Sequence, residues 1–290
     1  MPLDYERLMS MKFDPVTATY TRRDVMLYAI GIGVAMADAT DPRDLRYVYE
    51  RDLRVLPTFA VTLAAQPMLF AEPKFGLNYT LLLHGEQTLE LHQPLPVEGT
   101  VFSEMQIDAI QDKGAAKGAV MHVTRRLHDA GSGDLLVTLG SVIFLRGDGG
   151  FGGRSDGAPR RLPVPERSAD FIVPVPTSAS QALIYRLSGD YNPLHIDPQI
   201  AARAGFARPI LHGLCGYGMV GRALIRELCD DDPDRLRHLD VRFTSAIYPG
   251  EPLHMEVWRL GMGAAAFRLI ASERNQIVQD FGRFEYGLDS

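Results

Sequence analysis

Three polar side chains lie within six residues of one another in residues 185–195, which read YRLSGDYNPLH. They are Asp190, Asn192 and His195, that is, a carboxylate, a carboxamide and an imidazole. Asn192-Pro193 interrupts any regular helix, because proline fixes its own φ and disfavours helical geometry in the residue before it. Asp190 and His195 therefore belong to two differently directed segments, and their side chains can converge. A carboxylate and an imidazole that converge can act as general acid and base.

The same residues would also make an ordinary turn, since Gly, Asp, Asn and Pro are the usual turn formers. Other chemistries have weaker signals. His212 and Cys215 lie three apart on a predicted helix, but a zinc site needs three or four ligands and the sequence presents no third. No GxSxG surrounds Ser188 or any other serine, and neither GLCGYG nor GIGVAM satisfies GxGxxG. A serine hydrolase and a dinucleotide-binding protein are therefore disfavoured.

The longer context of the segment resembles the hydratase 2 motif of the MaoC-like (R)-specific enoyl-CoA hydratases. Three further runs are similar to that family: ARPILHGLCGYG, VRFTSAIYPGE and LLLHGEQTLELHQPLP. The order of these blocks is close to that in the hydratase portion of the peroxisomal multifunctional enzyme type 2. The resemblance implies reversible hydration of trans-2-enoyl-CoA to (3R)-3-hydroxyacyl-CoA, in β-oxidation of fatty acids or steroid side chains. The motif in residues 185–195 is more specific for the family than for the substrate.

The resemblance implies four catalytic groups. Asp190 and His195 would carry protons, Asn192 would hold the water, and the backbone N–H of Gly213 would bind the developing oxyanion. We expect His195 to activate the water and Asp190 to deliver the proton to C2. A reference pKa of about 3.9 makes an unperturbed aspartate a poor acid. The division of the two roles therefore stays open.

The contacts with CoA are likewise implied by the resemblance. The matching positions are His84, Gly85, Lys113, Asp190, Tyr191, Asn192, Pro193, Leu194, His195, Gly213 and Phe243. Taken singly, His84 could equally be a strand-end histidine, Lys113 a solvated loop charge and Phe243 a core residue. We expect no metal, and no cofactor other than the CoA of the substrate.

Two other functions remain open from the sequence. An acyl-CoA thioesterase with the same fold would use a carboxylate to direct water at the carbonyl carbon, although the complete Asp-x-Asn-Pro-x-His set disfavours this. A non-catalytic acyl-CoA-binding protein would keep the cavity without the chemistry.

Composition narrows the class of protein. The 290 residues are 46% hydrophobic and 23% charged, with a formal net charge of −6 and a pI of about 5.8, which disfavours nucleic-acid binding. The sequence shows neither a membrane span nor a secretory signal nor an SKL-type tail, so we expect a cytoplasmic protein that does not bind membranes. Its two cysteines, Cys215 and Cys229, are predicted to be buried thiols. The basic pair Arg125-Arg126 is interpreted as solvated surface, or as a contact for a phosphorylated ligand.

Hydrophobic periodicity predicts two similar halves. Residues 1–146 and 171–290 would be joined by a polar linker, 147–170, that is rich in glycine and proline. Helices are predicted over 22–36, 179–187 and 211–228. Strands are predicted over 81–91, 101–110, 119–127, 135–145, near 172, and over 239–243, 253–260, 265–272 and 276–284. Four glycines in the 211–228 helix require close packing or approach of a ligand, since each costs roughly 1 kcal/mol relative to alanine.

An internal comparison supports a duplication. Residues 27–38 align with 184–195, which places Gly33 at the position of Asp190 and Asp38 at that of His195. The first half would then have the scaffold without the catalytic groups, which leaves room for a bulky acyl tail. Together with the family resemblance, this predicts an α+β double hot-dog fold, with two antiparallel sheets that each wrap a long central helix. The exposed sheet edges expected of such units suggest a homodimer.

Overall fold

The structure is a computed structural model that describes residues 3–153 and 161–288. Its strands are β1 (Val16–Tyr20), β2 (Leu82–Leu91), β3 (Gly99–Asp112), β4 (Ala119–Asp129), β5 (Leu135–Leu145), β6 (Phe171–Val175), β7 (Leu236–Phe243), β8 (Leu253–Arg259), β9 (Ala264–Ala271) and β10 (Gln276–Tyr286). Its α-helices are α1 (Tyr5–Ser10), α2 (Arg22–Gly31), α3 (Pro42–Val48), α4 (Gln181–Tyr185), α5 (Pro198–Arg203) and α6 (Gly213–Leu228). The strands predicted over 81–91, 101–110, 119–127 and 135–145 are confirmed as β2 to β5, and β1 was not predicted.

The ten strands form one continuous antiparallel sheet in the order β1-β3-β4-β5-β2-β7-β10-β9-β8-β6. The first five strands and the last five follow the same order from the outer edge to the centre, so the duplication is visible in the topology. The prediction of two separate sheets is wrong. The inner edge strands β2 and β7 pair with each other, with Glu86 opposite Arg242 and Thr88 opposite Asp240. Pairing satisfies backbone groups that two separate sheets would leave exposed.

Only the second half has a long central helix. Helix α6 confirms the helix predicted over 211–228. In the first half α2 ends at Gly31, because Gly33 and Ala35 have left-handed φ values of 89° and 62° that an α-helix cannot contain. The place of a second central helix is taken by a short 3₁₀ turn, Pro57–Val61, which packs against α6. The prediction of a long helix in each half is therefore wrong for the first half.

Close packing explains three of the four glycines of α6. A Cβ on Gly216 would lie 2.8 Å from Gln279 and Ile247, one on Gly218 would lie 2.6 Å from Ile32 and Tyr28, and one on Gly221 would lie 2.7 Å from Thr58. These contacts come from both halves of the chain. Helix α6 is thus held between the sheet of its own half and the helices and turns of the other.

The connector between the halves packs onto the protein where it is described. The amides of Gly150 and Gly152 donate to Asp112 at 2.8 and 2.7 Å. Arg161 pairs with Glu86 of β2 at 2.6 Å and with Asp240 of β7 at 2.7 Å, so it bridges the two central strands. Residues 154–160 of the predicted linker lie outside the described residues. In the part that is described, the connector is more closely attached than a solvated linker.

One apolar core extends through both halves. It includes Tyr28, Phe59 and Leu89 from the first half and Tyr217 and Phe267 from the second. Within residues 3–153 and 161–288, no helix combines the length and the apolar character that crossing a bilayer requires.

Candidate active site

A cavity of about 720 Å³ extends across the two halves. Its second-half wall includes Asp190, Asn192, Leu194, His195 and Gly213. Its remaining wall comes largely from the inner faces of β2 to β5 and from the turns that replace a central helix in the first half. The catalytic groups predicted from the sequence therefore face one cavity.

The chain reverses twice to bring these groups together. After α4, a 3₁₀ turn ends at Gly189, whose φ of 115° favours glycine, and this places Asp190 at the cavity wall. A second 3₁₀ turn, Pro193–His195, then buries the His195 ring. The ligand atoms of Asp190 and His195 lie within 4.8 Å of each other. The two predicted proton carriers thus approach the same point from separate segments.

Hydrogen bonding fixes the tautomer of His195. Its Nδ1–H donates to the carbonyl oxygen of Ile210 at 2.9 Å, so in the neutral ring Nε2 carries the free lone pair. Burial lowers the pKa of His195 below 6.5, and the charge of Asp190 offsets this only in part. The ring is therefore neutral at pH 7 and can accept a proton at Nε2.

The carboxamide oxygen of Asn192 is hydrogen-bonded within the described part of the protein, whereas its NH₂ group is not. Its Oδ1 accepts the backbone N–H of Leu194 at 3.0 Å and so caps the Pro193–His195 turn. Its own backbone N–H donates to Asp190 Oδ1 at 3.2 Å, which orients that carboxylate. The carboxamide NH₂ of Asn192 has no acceptor among the described residues. It is available to donate to a water or a substrate oxygen in the cavity.

His212 is part of the site and was missed as such from the sequence. Its ring stacks on His195 with centroids 3.7 Å apart, and its Nε2–H donates to the backbone carbonyl of Asp190 at 3.1 Å. Burial and the neighbouring His195 lower the pKa of His212 to about 3, so the ring stays neutral. His212 therefore holds the segments of Asp190 and His195 at a fixed spacing. The only sequence signal for this was its place immediately before Gly213.

The metal-ligating pair weighed from the sequence does not form. The thiol of Cys215 is buried and donates to the carbonyl of Gly31 at 3.4 Å, away from His212. His212 instead groups with Asp190 and His195, and one ligand atom from each lies within 4.8 Å of the others. These three residues are a set that could hold a metal ion. The expectation that the site uses none stays a prediction.

Gly213 is the first residue of α6, and its amide points toward the cavity end of the helix axis. No acceptor for this N–H occurs in the described parts of the chain, as expected for the first turn of a helix. The helix dipole adds positive potential at this end. The Phe243 ring lies 3.6 Å from the place of a Cβ on Gly213, so the ring forms a wall beside the amide. This arrangement can stabilise negative charge on a ligand oxygen.

Of the eleven predicted CoA contacts, seven line the cavity, and these are the five residues of its second-half wall named above together with His84 and Phe243. His84 and Phe243 line the cavity with their rings in edge contact at 5.2 Å, and burial lowers the pKa of His84 to about 4. The other four predicted positions, Gly85, Lys113, Tyr191 and Pro193, are not among the residues that line the cavity.

Each of those four positions has its own setting. A Cβ on Gly85 would lie 2.6 Å from the Phe144 ring, so this glycine allows close packing behind the wall. Lys113 lies in the turn between β3 and β4. Tyr191 and Pro193 are exposed beside the site. A cation that does line the cavity is Arg146, which is exposed at the end of β5 and was not predicted.

The geometry defines a hot-dog protein with a hydratase-like site, and comparison with known proteins agrees. The MFE-2 hydratase 2 N-terminal domain matches residues 18–147, and the MaoC like domain matches residues 161–280. A structure from Mycobacterium tuberculosis that is described as a double hot-dog fold superimposes with a TM-score of 0.57 at 14% identity, over 97% of each chain. At this identity the likeness concerns the fold alone.

Closer relatives cover nearly the whole chain. The peroxisomal enoyl-CoA hydratase 2 of Arabidopsis thaliana is 38% identical over 93% of this chain and 92% of its own length. The 3-hydroxyacyl-thioester dehydratase Y of Mycobacterium tuberculosis is 40% identical over 94% and 95%. The MaoC-like dehydratase of Phytophthora capsici superimposes with a TM-score of 0.86 at 36% identity, over 98% and 99%. The chain belongs to the MaoC-like hydratase 2 family.

Proposed function

We propose that the protein is a hydro-lyase that adds water to trans-2-enoyl-CoA to give (3R)-3-hydroxyacyl-CoA, and that also catalyses the reverse dehydration. The observation that carries this proposal is the convergence of Asp190 and His195, within 4.8 Å, on a cavity that also receives the Gly213 amide. Relatives named as enoyl-CoA hydratase 2 and as a hydroxyacyl-thioester dehydratase support both directions of the reaction.

His195 begins the reaction as the base. The amide NH₂ of Asn192 holds a water, and Nε2 of His195 takes a proton from it as the oxygen bonds to C3. Electrons move from the C2–C3 double bond toward the thioester oxygen, where the Gly213 N–H and the dipole of α6 stabilise the charge. The proton passes from His195 to Asp190, since their side chains lie within 4.8 Å of each other, and Asp190 delivers it to C2. Both side chains then have their starting protonation states.

The activity is tested by the loss of enoyl absorbance with crotonyl-CoA and with a long-chain enoyl-CoA, followed by chiral analysis of the product. We expect the (3R) isomer. An (S) product would contradict the stereochemical part, and unchanged substrate after prolonged incubation would indicate a binding protein instead.

A thiol reagent in the same assay tests the thioesterase alternative. Hydration leaves the thioester intact, so no free CoA thiol is expected. Release of thiol at the rate of substrate loss would assign the water to the carbonyl carbon instead of C3.

The location and assembly of the protein stay predictions. We propose a cytoplasmic protein, although several relatives are named as peroxisomal. The argument for a homodimer from exposed sheet edges is weaker than expected, because β2 and β7 pair within the chain and leave β1 and β6 as the outer strands. Sedimentation analysis tests the assembly.

A further inference from the structure

Arg125 turns into the cavity from β4, whereas its neighbour Arg126 does not. Side chains alternate along β4, and the buried residues Val123 and Leu127 share a face with Arg125. Arg125 lines the cavity in the company of apolar residues of β3 and β5. The basic pair interpreted from the sequence as solvated surface is therefore divided between the two faces of the sheet.

The guanidinium of Arg125 is held by backbone carbonyls. Its Nη2 donates to Ala60 at 3.2 Å and to Val61 at 2.9 Å, and its Nη1 donates to Leu63. The first two carbonyls belong to the Pro57–Val61 turn that replaces the central helix of the first half, and Leu63 follows that turn by two residues. A guanidinium has five N–H donors. Those that remain, including Nε–H, have no acceptor among the residues that the structure describes.

The charge of Arg125 is not matched by a protein carboxylate. In residues 3–153 and 161–288 no Asp or Glu oxygen lies within 4.0 Å of it. Asp14 also lines the cavity, but its side chain is exposed and makes no ion pair with Arg125. Burial lowers the pKa of Arg125 to about 10, so it remains a cation at pH 7. The residue is half-buried, and a cation removed from water is costly unless an anion or further acceptors reach it.

Arg125 lies far from the reacting end of the cavity. In the register of the sheet, His84 is opposite Ile143 of β5, and Arg125 is opposite Leu139 of the same strand. Strand spacing and rise then place the two Cα atoms about 10 Å apart across the sheet and about 13 Å apart along it, or about 16 Å in total. An acyl chain whose thioester lies near His84 and Gly213 would bring its far end toward Arg125.

We propose that Arg125 is a binding subsite for a carboxylate at the far end of the acyl chain, so that ω-carboxylated enoyl-CoA esters are substrates. This inference rests on the proposed hydratase function. Three backbone carbonyls hold the guanidinium in place before the ligand binds. A bound carboxylate would accept charge-assisted hydrogen bonds from the N–H donors that remain. The chemistry at C2 and C3 is the same for either kind of chain end.

Pairs of trans-2-enoyl-CoA esters that have equal carbon number, one ending in methyl and the other in carboxylate, test the subsite in the wild-type protein. With short chains the carboxylate cannot reach Arg125, and we expect the carboxylated ester to have the lower kcat/KM. With chains long enough to span the cavity, the ratio of carboxylated to methyl-ended kcat/KM should rise by about tenfold or more. A ratio that stays low at every length overturns the proposal.

Two variants locate the effect. Arg125→Gln should lower that ratio by about tenfold for the long chains, whatever its effect on the absolute rates. Arg126→Gln removes the same charge from the other face of β4 and should leave the ratio unchanged. If Arg125→Gln lowers kcat/KM equally for both esters, the role of Arg125 is purely structural. Hydration of crotonyl-CoA is measured in parallel, because its failure would count against the proposed function and not against the subsite. If Arg125→Gln does not fold, the length series in the wild-type protein decides.

Discussion

The two halves share a scaffold but differ in the residues that follow one pair of tyrosines. Tyr28 and Tyr185 are both buried, and their rings lie 6.1 Å apart where α2 meets α4. After Tyr185 the chain reverses and buries His195, whereas after Tyr28 it runs out to Asp38, which is exposed and accepts hydrogen bonds from Thr40. The packing of the helices is therefore independent of the chemistry, which depends on a few residues after the helix.

A second difference concerns the space above each half of the sheet. Helix α6 covers the strands of the second half, and in the first half the Pro57–Val61 turn is too short to do so. Residues of β2 to β5 consequently line the cavity. Under the proposed function, the second half would supply the catalytic groups and the first half would supply room for the acyl chain.

Substitution of the proposed catalytic residues should give the largest difference in activity between changes in the two halves. Asp190→Asn and His195→Gln each remove one proton carrier, and we expect kcat for crotonyl-CoA to fall by roughly 10²- to 10⁴-fold. The matched change in the first half, Asp38→Asn, should have almost no effect. Near-wild-type turnover by Asp190→Asn or His195→Gln would remove the proposed roles.

The ion pairs that connect the halves should matter for stability. Arg222 of α6 is 8% exposed and pairs with Asp44 at 2.7 Å and Asp231 at 2.6 Å. Arg222→Ala leaves Asp231 without its ion pair and leaves Asp44 with Arg226 at 3.6 Å. We expect the free energy of unfolding to fall by about 3–5 kcal/mol. Arg226, which is 27% exposed, is the control, and Arg226→Ala should cost about 1 kcal/mol or less. Equal losses in denaturant titrations would show that burial does not set the size of the effect.

The amide of Gly213 can be deleted without breaking α6. Proline is accepted at the first position of a helix, and the extended ψ of 132° at His212 suits a residue that precedes proline. Gly213→Pro should therefore lower kcat by about 10²- to 10³-fold through loss of the oxyanion donor. Gly213→Ala keeps the N–H and places its Cβ 3.6 Å from Phe243, so it serves as the control for added volume. Equal rates in the two variants would argue against the amide.

Acid should destabilise the protein through His212 and His84. The folded-state pKa values of His212, about 3, and His84, about 4, lie below the ordinary value of 6.5, so the unfolded chain binds protons first as pH falls. Stability is then complete above pH 6.5 and lost progressively below it. Between pH 6.5 and 5 each histidine should cost up to about 2 kcal/mol. Denaturant titrations of His84→Gln should show a shallower slope with pH, and an unchanged slope would assign the effect elsewhere.

The pH dependence of kcat/KM gives a smaller effect. Because burial lowers the pKa of His195, the acid limb of the profile should have its midpoint below 6.5. A midpoint above that value would show that His195 is stabilised as a cation in the free enzyme.

Local pattern predicted the strands well and long-range pairing poorly. The strand over 135–145 was predicted with the bounds that β5 has, because apolar alternation is a local property. Strand β1 was missed because it has only five residues, although its apolar residues alternate with two threonines. The pairing of β2 with β7 joins segments far apart in sequence, and no local pattern encodes it.

The site was predictable only as far as its motif extends. Asp190, Asn192, His195 and Gly213 could be named because the residues around them resemble the motif of the family. Arg125 could not be placed, since a charged residue on a strand ordinarily faces solvent and only the missing helix makes room for it inside.

The connector has a consequence for how such a protein can change. A symmetric dimer of identical hot-dog subunits encodes both of its faces in one gene, so every substitution occurs twice. In this chain the two copies are covalently joined, and Arg161 ties the join to both β2 and β7. Under the proposed function, a mutation can therefore alter the first half, which would bind the acyl chain, while the second half keeps its catalytic residues. Substrate range is then free to evolve separately from chemistry.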